Sequence, residues 1–173
     1  PLTAPESPWM TMTREECRTF VEQTVARETA NYREGLFQLG HEEQYRSRRI
    51  ADICEKVCWV CVEQVRAGQI LSSRFEVPFG RGRAIPPIAV DAEGRQIFIE
   101  GKIDRVDILR GERVKIIDYK TGNENFSKSE AEAGYRLQLM LYLNACLGER
   151  TGGAARKPAG VFYFHISEPM VDC

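Results

Sequence analysis

The sequence predicts an α/β fold in which one added N-terminal helix precedes a core with the order helix, three strands, helix and strand. Apolar residues recur every three or four positions up to Arg66, whereas after Gly68 they alternate with polar residues, as strands do. A further helical segment then separates the third strand from an apolar run at residues 160–166, which is typical of a strand covered on both faces.

The two N-terminal helices have recognisable ends. Thr13–Glu16 is a capping box, in which a hydroxyl and a carboxylate satisfy backbone donors of the first turn, so a helix is expected from there to about Tyr32. A second helix is predicted at about Glu43–Arg66, with Gly68 ending it. Its apolar stripe consists of Ile50, Ile53, Cys54, Val57, Cys58, Cys61 and Val65.

Three strands are expected next. The alternation within Ile70–Phe79 predicts the first, and Gln96–Leu109, which Gly101 crosses, and Arg113–Lys120 predict the other two. A loop after the first strand is expected from several strand-breaking residues: Pro78, Gly80, Gly82, Pro86 and Pro87.

The last helix and the loop after it are also marked. Ser127 or Ser129 can cap a helix that reaches Leu147, and its apolar character nearly all round predicts that it is buried. Gly152-Gly153 and Pro158 predict a loop before the final strand.

Size and composition bound the class of protein. With 173 residues, a single domain over residues 1–173 is expected, with a helical part at about 10–67 and a catalytic sheet core at about 68–173. Hydrophobic residues make up 43% and charged residues 28%, which excludes disordered and fibrous classes. The start at Pro1 without a methionine and the end at Cys173 predict a piece of a longer protein.

Charge and hydropathy restrict partners and location. The net charge is −1, so a nucleic-acid partner would have to be bound by a local site rather than by an overall field. The longest uncharged helical stretch, residues 137–148, is shorter than the ~18 residues that suggest a membrane span. No segment has the pattern of a signal peptide, so a cytoplasmic location with reduced thiols is expected for the six cysteines.

A predicted hairpin brings two acidic residues together. A three-residue turn centred on Gly111 is an ordinary hairpin loop between the second and third strands. This turn fixes the register as Leu109–Arg113, Ile108–Val114, Asp107–Lys115, Val106–Ile116 and Asp104–Asp118.

The Asp104–Asp118 pair shares a face with Lys102 and Lys120 and allows two interpretations. Opposed carboxylates ~4.5–5.5 Å apart at Cβ repel, so a raised pKa or a bound cation must offset the cost. The acids could be solvated residues near strand ends that the two lysines balance. Alternatively, they could bind Mg²⁺, with Lys120 positioning a water or stabilising charge on a phosphate. Asp107 on the other face forms an ordinary opposite-charge pair that needs no functional explanation.

These motifs resemble those of a known family. Asp104 with Asp118-Tyr119-Lys120 resembles the PD-(D/E)XK nuclease motif, and the element order is similar to that family's restriction-endonuclease-like core, a mixed sheet flanked by helices. The segments 101–107, 116–122 and 138–142 together resemble the RecB-type branch. Residues 85–87 and 158–166 resemble more narrowly the C-terminal nuclease domain of the AddB (RexB-like) family of helicase–nuclease subunits, and the resemblance covers about Met10 to the end.

The resemblance implies site residues. It implies a divalent metal, Mg²⁺ or Mn²⁺, held by Asp104, Asp118 and the carbonyl of Tyr119, with Lys120 as the catalytic lysine. Gln138 and Tyr142, one helical turn apart, would face the site and orient Lys120 or the DNA backbone. The alternatives are a buried amide that caps a carbonyl for Gln138 and core packing for Tyr142.

One feature of the family has no match in this sequence. RecB-type nucleases usually carry an upstream histidine that contacts the metal, but His41 directly follows Gly40 and does not fit that setting. His165 lies in the apolar strand run, where a structural role is expected.

The cysteines are expected to have no cofactor in this chain. The AddB family holds an iron–sulfur cluster through one upstream cysteine and a C-terminal trio, which would lie beyond Cys173, so the cluster is expected only in the full-length protein. Cys54, Cys58 and Cys61 lie on the apolar stripe of a helix and are expected to be core thiols rather than ligands.

The leading functional hypothesis is a Mg²⁺-dependent exonuclease module. The resemblance implies hydrolysis of phosphodiester bonds at a single-stranded DNA end, contacted through its backbone, with an AddA-like partner subunit and a role in double-strand break repair and recombination. The sequence has no Walker-type motif and therefore no ATPase of its own. Two alternatives remain: a DNA-binding or subunit-docking module that is inactive as an isolated fragment, and a stand-alone RecB-type nuclease.

Overall fold

The computed structural model of the chain describes residues 4, 6–32, 40–121, 129, 137–151 and 154–166. These residues fall into two compact units, a helical unit within residues 2–68 and a sheet unit within residues 69–167.

The helical unit consists of α1 (Pro8–Thr11), α2 (Arg14–Asn31) and α3 (His41–Ala67). The predicted capping box at α2 is confirmed, because Thr13 accepts from the Glu16 N–H and the Glu16 carboxylate accepts from the Thr13 N–H. As predicted, α3 ends at Gly68, whose N–H donates to the carbonyl of Gln64.

The helices α2 and α3 pack against each other. Their fully buried apolar side chains are Cys17, Val21, Val62 and Val65. All five described cysteines are free thiols, as expected, and the helical ones at 54, 58 and 61 are half-buried. Burial and the nearby Cys17 raise the pKa of the Cys58 thiol to about 12, so that thiol stays protonated near neutral pH.

The sheet unit contains strands of very different lengths. In chain order they are β1 (Ile70–Phe79), β2 (Ile88–Ala92), β3 (Arg95–Ile99), β4 (Gly101–Leu109), β5 (Arg113–Lys120), β6 (Arg150–Thr151), β7 (Ala154–Ala155) and β8 (Lys157–His165). Four of them form one sheet with the order β1-β4-β5-β8. The first three are antiparallel neighbours, whereas β8 runs parallel to β5 after a helical connection. The predicted fold class, a mixed sheet with helices, is confirmed.

A two-stranded hairpin outside this sheet was not predicted. It pairs β2 with β3, of which only β3 lies in the predicted β-rich run at residues 96–109. The predicted loop after β1 lies at residues 80–87, although Pro78 itself belongs to β1. A minor hairpin pairs β6 with β7.

The last helix differs from its prediction. The described helix, α4 (Gln138–Leu147), ends at Leu147 as expected, whereas the predicted caps Ser127 and Ser129 lie outside its described span. It is not buried all round: Leu139, Ala145 and Cys146 are buried, but Met140 is exposed. A helix on one face of a sheet buries only one stripe of side chains. The many apolar residues of α4 therefore led to a prediction of too much burial.

The prediction for β8 was also partly wrong. Pro158, expected in a loop, lies inside β8, where it pairs with Val114 next to an irregularity in the register. The strand is not covered on both faces, since Phe162 is 52% exposed while Val161 and Tyr163 pack on the core. Among the described strands, β8 is an edge strand, where a proline is tolerated.

The core lies between the sheet and α4. It contains Val106, Ile108, Val114 and Ile116 from the β4–β5 hairpin together with Leu139, Ala145 and Cys146 from α4. No helix in the parts of the chain that the structure describes is long and apolar enough to cross a lipid bilayer.

Candidate active site

The β4–β5 hairpin has the predicted register and stops pairing just before the two acids. The ladder runs from Leu109–Arg113 to Arg105–Ile117. Beyond that point β4 remains paired with β1 as far as Gly101, and β5 with β8 as far as Lys120. Asp104 and Asp118 come directly after the last β4–β5 pair, Arg105–Ile117. They therefore lie at the point where β4 and β5 separate.

The two aspartates do not form the cross-strand ladder pair that the register predicts. Instead, the backbone N–H of Tyr119 donates to Asp104 Oδ2 at 2.8 Å. This hydrogen bond ties Asp104 to the residue between Asp118 and Lys120. The backbone of β5 thus connects Asp104 of β4 to Asp118 and Lys120 of β5.

Asp118 is almost completely buried, with 2% of its surface exposed. Its Oδ2 lies 2.8 Å from Lys120 Nζ, which makes an ion pair, but the oxygen is buried and has no hydrogen-bond partner among the described residues. Burying a charged oxygen is costly, and the ammonium of Lys120 offsets part of that cost without making a hydrogen bond to it.

Lys120 is also connected to α4. Its Nζ donates to Gln138 Oε1 at 3.3 Å, and Gln138 Nε2 donates to the hydroxyl of Tyr142 at 2.7 Å. Spacing of one helical turn places both α4 side chains on the same face, as predicted. The structure thus brings Asp118, Lys120, Gln138 and Tyr142 into one chain of contacts.

Tyr142 combines packing with this polar contact. Its ring meets Phe79 edge to face, with 5.8 Å between centroids, and lies against the hydrophobic core. Phe79 is held close to the backbone of Gly101, where a Cβ atom would lie 2.9 Å from the ring. Gln138 is exposed, so the alternative of a buried amide that caps a carbonyl is wrong.

The two histidines of the sequence belong to different units. His41 is the first residue of α3, in the helical unit, and His165 is the exposed last residue of β8, next to Tyr163. Tyr163 also lies below the ammonium of Lys120, 5.6 Å from Nζ to the ring centroid.

The opposite face of the hairpin carries a polar cluster that the sequence analysis missed. The predicted Asp107–Lys115 pair is present, with Nζ 2.8 Å from Oδ2, but Asp107 is fully buried. Arg105, also buried, donates to both oxygens of Asp107 at 2.7 and 3.0 Å, and Ser73 donates at 2.6 Å. Arg105 also donates to the hydroxyl of Tyr119 at 3.4 Å.

In this cluster Asp107 and Arg105 both remain charged. Burial opposes the charged form of Asp107, but hydrogen bonds from Arg105, Lys115 and Ser73 outweigh it and lower the pKa of the carboxyl. Burial likewise opposes the charge of Arg105, but Asp107 raises the pKa of the guanidinium above its ordinary value. Arg105 and Asp107 lie two residues apart on one strand, and this spacing was the available signal that they share a face.

The oxygen ligands at this site fit a hard divalent cation. The carboxylates of Asp104 and Asp118 and the carbonyl of Tyr119 are oxygen donors of the kind that Mg²⁺ prefers, and Asp118 Oδ2 makes no hydrogen bond among the described residues. Within the described ranges, no group of three or more histidine, cysteine, aspartate or glutamate side chains is placed to hold a metal. A cation here would thus complete its coordination with water and phosphate, as Mg²⁺ commonly does.

Comparisons with known proteins show the family to which the chain belongs. Residues 8–172 match the family described as the PD-(D/E)XK nuclease superfamily. The chain is 38% identical to the B subunit of an ATP-dependent helicase/deoxyribonuclease of Alkaliphilus oremlandii, over 94% of this chain and 15% of that protein. The equally named proteins of Alkaliphilus metalliredigens and Clostridium tetani are 36% and 32% identical, over 96% and 94% of this chain. The chain spans about 15% of the length of these relatives. The chain belongs to the PD-(D/E)XK nuclease superfamily.

Proposed function

We propose that this chain is the divalent-metal-dependent deoxyribonuclease domain of a helicase–nuclease complex, carried on its B-type chain. One observation carries the proposal: buried Asp118, which pairs with Lys120, lies two residues before that lysine and is tied through the Tyr119 N–H to Asp104. PD-(D/E)XK nucleases generally use divalent metals, and the donor set here suits Mg²⁺ or Mn²⁺.

The roles of the side chains follow from their positions. Asp104, Asp118 and the Tyr119 carbonyl would hold the cation, which supplies Lewis-acid stabilisation of charge on the phosphate. Lys120 directs an ammonium toward the reacting phosphate, where it stabilises developing negative charge or orients the attacking water. Gln138 Oε1 accepts from Lys120, and Tyr142 fixes the Gln138 amide, so these two α4 residues set the direction of Nζ.

The substrate and partners belong to the same proposal. The relatives are named as B subunits of an ATP-dependent helicase/deoxyribonuclease, which supports DNA as substrate and a further subunit as partner. Within this proposal the substrate is a single-stranded DNA end and the partner an AddA-like helicase. We place the activity, an exonuclease bound through the DNA backbone, in break repair and recombination in the cytoplasm. An iron–sulfur cluster would belong to the longer protein.

A second candidate is a nuclease-like module that binds DNA or docks a partner without cleaving. It is favoured by the net charge of −1 and by the absence from the sequence of the family's upstream histidine motif. The contacts of Lys120 with Asp118 and Gln138 favour the nuclease, because they hold an ammonium beside the acids of the motif, which a module that only binds or docks does not need.

The test compares metal binding with cleavage. Calorimetric titration of the chain with Mn²⁺ or Mg²⁺ is expected to show binding that disappears in the Asp104→Asn/Asp118→Asn double variant. Cleavage of a single-stranded oligonucleotide is expected to need added metal and to be abolished in Asp118→Asn and in Lys120→Ala, both folded by circular dichroism. Lys157→Ala, an exposed lysine at the far end of β8, is the matched control. Metal binding without cleavage in any condition would favour the second candidate.

A further inference from the structure

Strand β1 carries an unusual backbone next to the site. Glu76 has φ +52°, in the left-handed region that residues other than glycine rarely adopt within a strand. The neighbouring ladder pairs are Phe75–Arg105 and Val77–Ile103, so Glu76 is the residue opposite Asp104. Strain of this kind costs about 1–3 kcal/mol and clusters at functional sites.

The side chain of Glu76 has one clear partner. Its carboxylate makes a close ion pair with the ammonium of Lys102, two residues before Asp104 on β4. Residues two apart on a strand point to the same face, so Lys102 shares the face of Asp104. The Lys102 ammonium therefore lies on the face of Asp104 and contacts the Glu76 carboxylate.

The two lysines beside the acids differ in how firmly they are held. Lys120 is 21% exposed and has contacts to Asp118, Gln138 and the ring of Tyr163. Lys102 is 58% exposed, and its partner Glu76 is 62% exposed. Exposed ion pairs contribute little to stability, so a phosphate can displace Glu76 from Lys102 at small cost.

We infer that Lys102 is a second phosphate-binding residue of this site, which contacts the DNA backbone and is held beside Asp104 by Glu76 when DNA is absent. The inference rests on the proposed function and deepens it. Lys102 and Lys120 each lie two residues from an aspartate, on the side where β4 and β5 have parted. A backbone that crosses the two aspartates would thus meet one ammonium from each strand.

The ladder keeps its register on both sides of Glu76, so this residue lies across from Asp104 while its carboxylate contacts Lys102. Glu76 is in this account a positioning residue that acts through Lys102.

The first experiment measures binding of a fluorescent single-stranded oligonucleotide to the full chain, residues 1–173, in a chelator that prevents cleavage. Affinity is recorded across a series of salt concentrations. Log affinity falls as log salt rises, and in Lys102→Ala the loss of one phosphate contact is expected to make this slope less steep by about 0.7. Lys157→Ala, the control from the far end of the sheet, is expected to keep the wild-type slope.

The second measurement separates Lys102 from a general effect of charge. Glu76→Gln is expected to tighten DNA binding at low salt, and most of that gain is expected to disappear in the Glu76→Gln/Lys102→Ala double variant. Additive effects of the two substitutions would overturn the role of Glu76. An unchanged salt slope in Lys102→Ala, with normal wild-type binding, would overturn the role of Lys102 and leave the proposed nuclease intact. Absence of wild-type binding in the chelator would also overturn the role of Lys102, whereas the metal titration and the cleavage assay test the proposed nuclease separately.

Discussion

At the scale of single residues, Asp107 is the buried charge on which the hairpin depends. It neutralises Arg105, which is as completely buried, and accepts a further hydrogen bond from Ser73. The substitution Asp107→Asn removes the charge but leaves Arg105 buried. Breaking a buried ion pair on one side typically costs about 3–5 kcal/mol. Urea denaturation is expected to show a loss of that size, whereas exposed Glu63→Gln should change stability little.

The same residue gives the stability a pH dependence. Because the folded pKa of Asp107 lies below its ordinary value, the unfolded chain takes up the proton first as pH falls. The stabilisation is complete above the ordinary pKa of about 3.9 and is lost as pH drops through the lower folded pKa. Wild-type stability is expected to decline below about pH 4, and the decline should be smaller in Asp107→Asn. An equal decline in both proteins would contradict this assignment.

The acids of the motif could be predicted from the sequence, but the buried residues around them could not. Asp104, Asp118 and Lys120 were recognisable because their residue types and spacing form a motif. Arg105 was overlooked because charged side chains are rarely fully buried, and only contacts made in the folded sheet offset its desolvation. The left-handed Glu76 could not be predicted, because neither its residue type nor its alternating surroundings indicates a positive φ.

At the scale of elements, α4 supplies the contacts that orient the lysine of β5. In Tyr142→Phe the ring and its packing on Phe79 remain, while the acceptor for the Gln138 amide is lost. A neutral hydrogen bond contributes about 1 kcal/mol, so cleavage is expected to fall about fivefold with little change in the melting temperature. Met140→Ala, exposed on the same helix, is the control and should cleave normally. Equal activity in Tyr142→Phe and wild type would show that Gln138 is oriented by other contacts.

The two hairpins show what local sequence can predict. The β4–β5 register followed from the turn at Gly111, whose φ of +75° is one that glycine adopts readily. The β2–β3 turn has a positive φ at both Glu93 and Gly94, as a tight hairpin requires. Glutamate is not a residue that favours this conformation, so the turn was not recognised and β2 was missed.

At the scale of the whole molecule, the order of the elements was predicted more accurately than the burial of their faces. The predicted order of three strands, helix and strand is that of the four-stranded sheet, whereas the place of β8 beside β5 was not part of the prediction. Apolar content did not show which faces are covered, since Met140 and Phe162 are exposed within apolar segments. Coverage depends on tertiary neighbours, which a single sequence does not give.

The division at Gly68 allows a test of the single-domain prediction. Among its described residues the helical unit has only four fully buried apolar side chains, Cys17, Val21, Val62 and Val65, whereas the sheet unit has a contiguous core. Helical stability in proteins comes mostly from packing rather than propensity, so residues 1–68 alone are expected to be largely unfolded. Far-UV circular dichroism should show a weak helical signal without a cooperative melt for residues 1–68. The full chain should unfold in one transition, with calorimetric and van't Hoff enthalpies equal. A cooperative melt of residues 1–68 would instead establish two domains, because only a unit with a sufficient core of its own unfolds in an all-or-none transition.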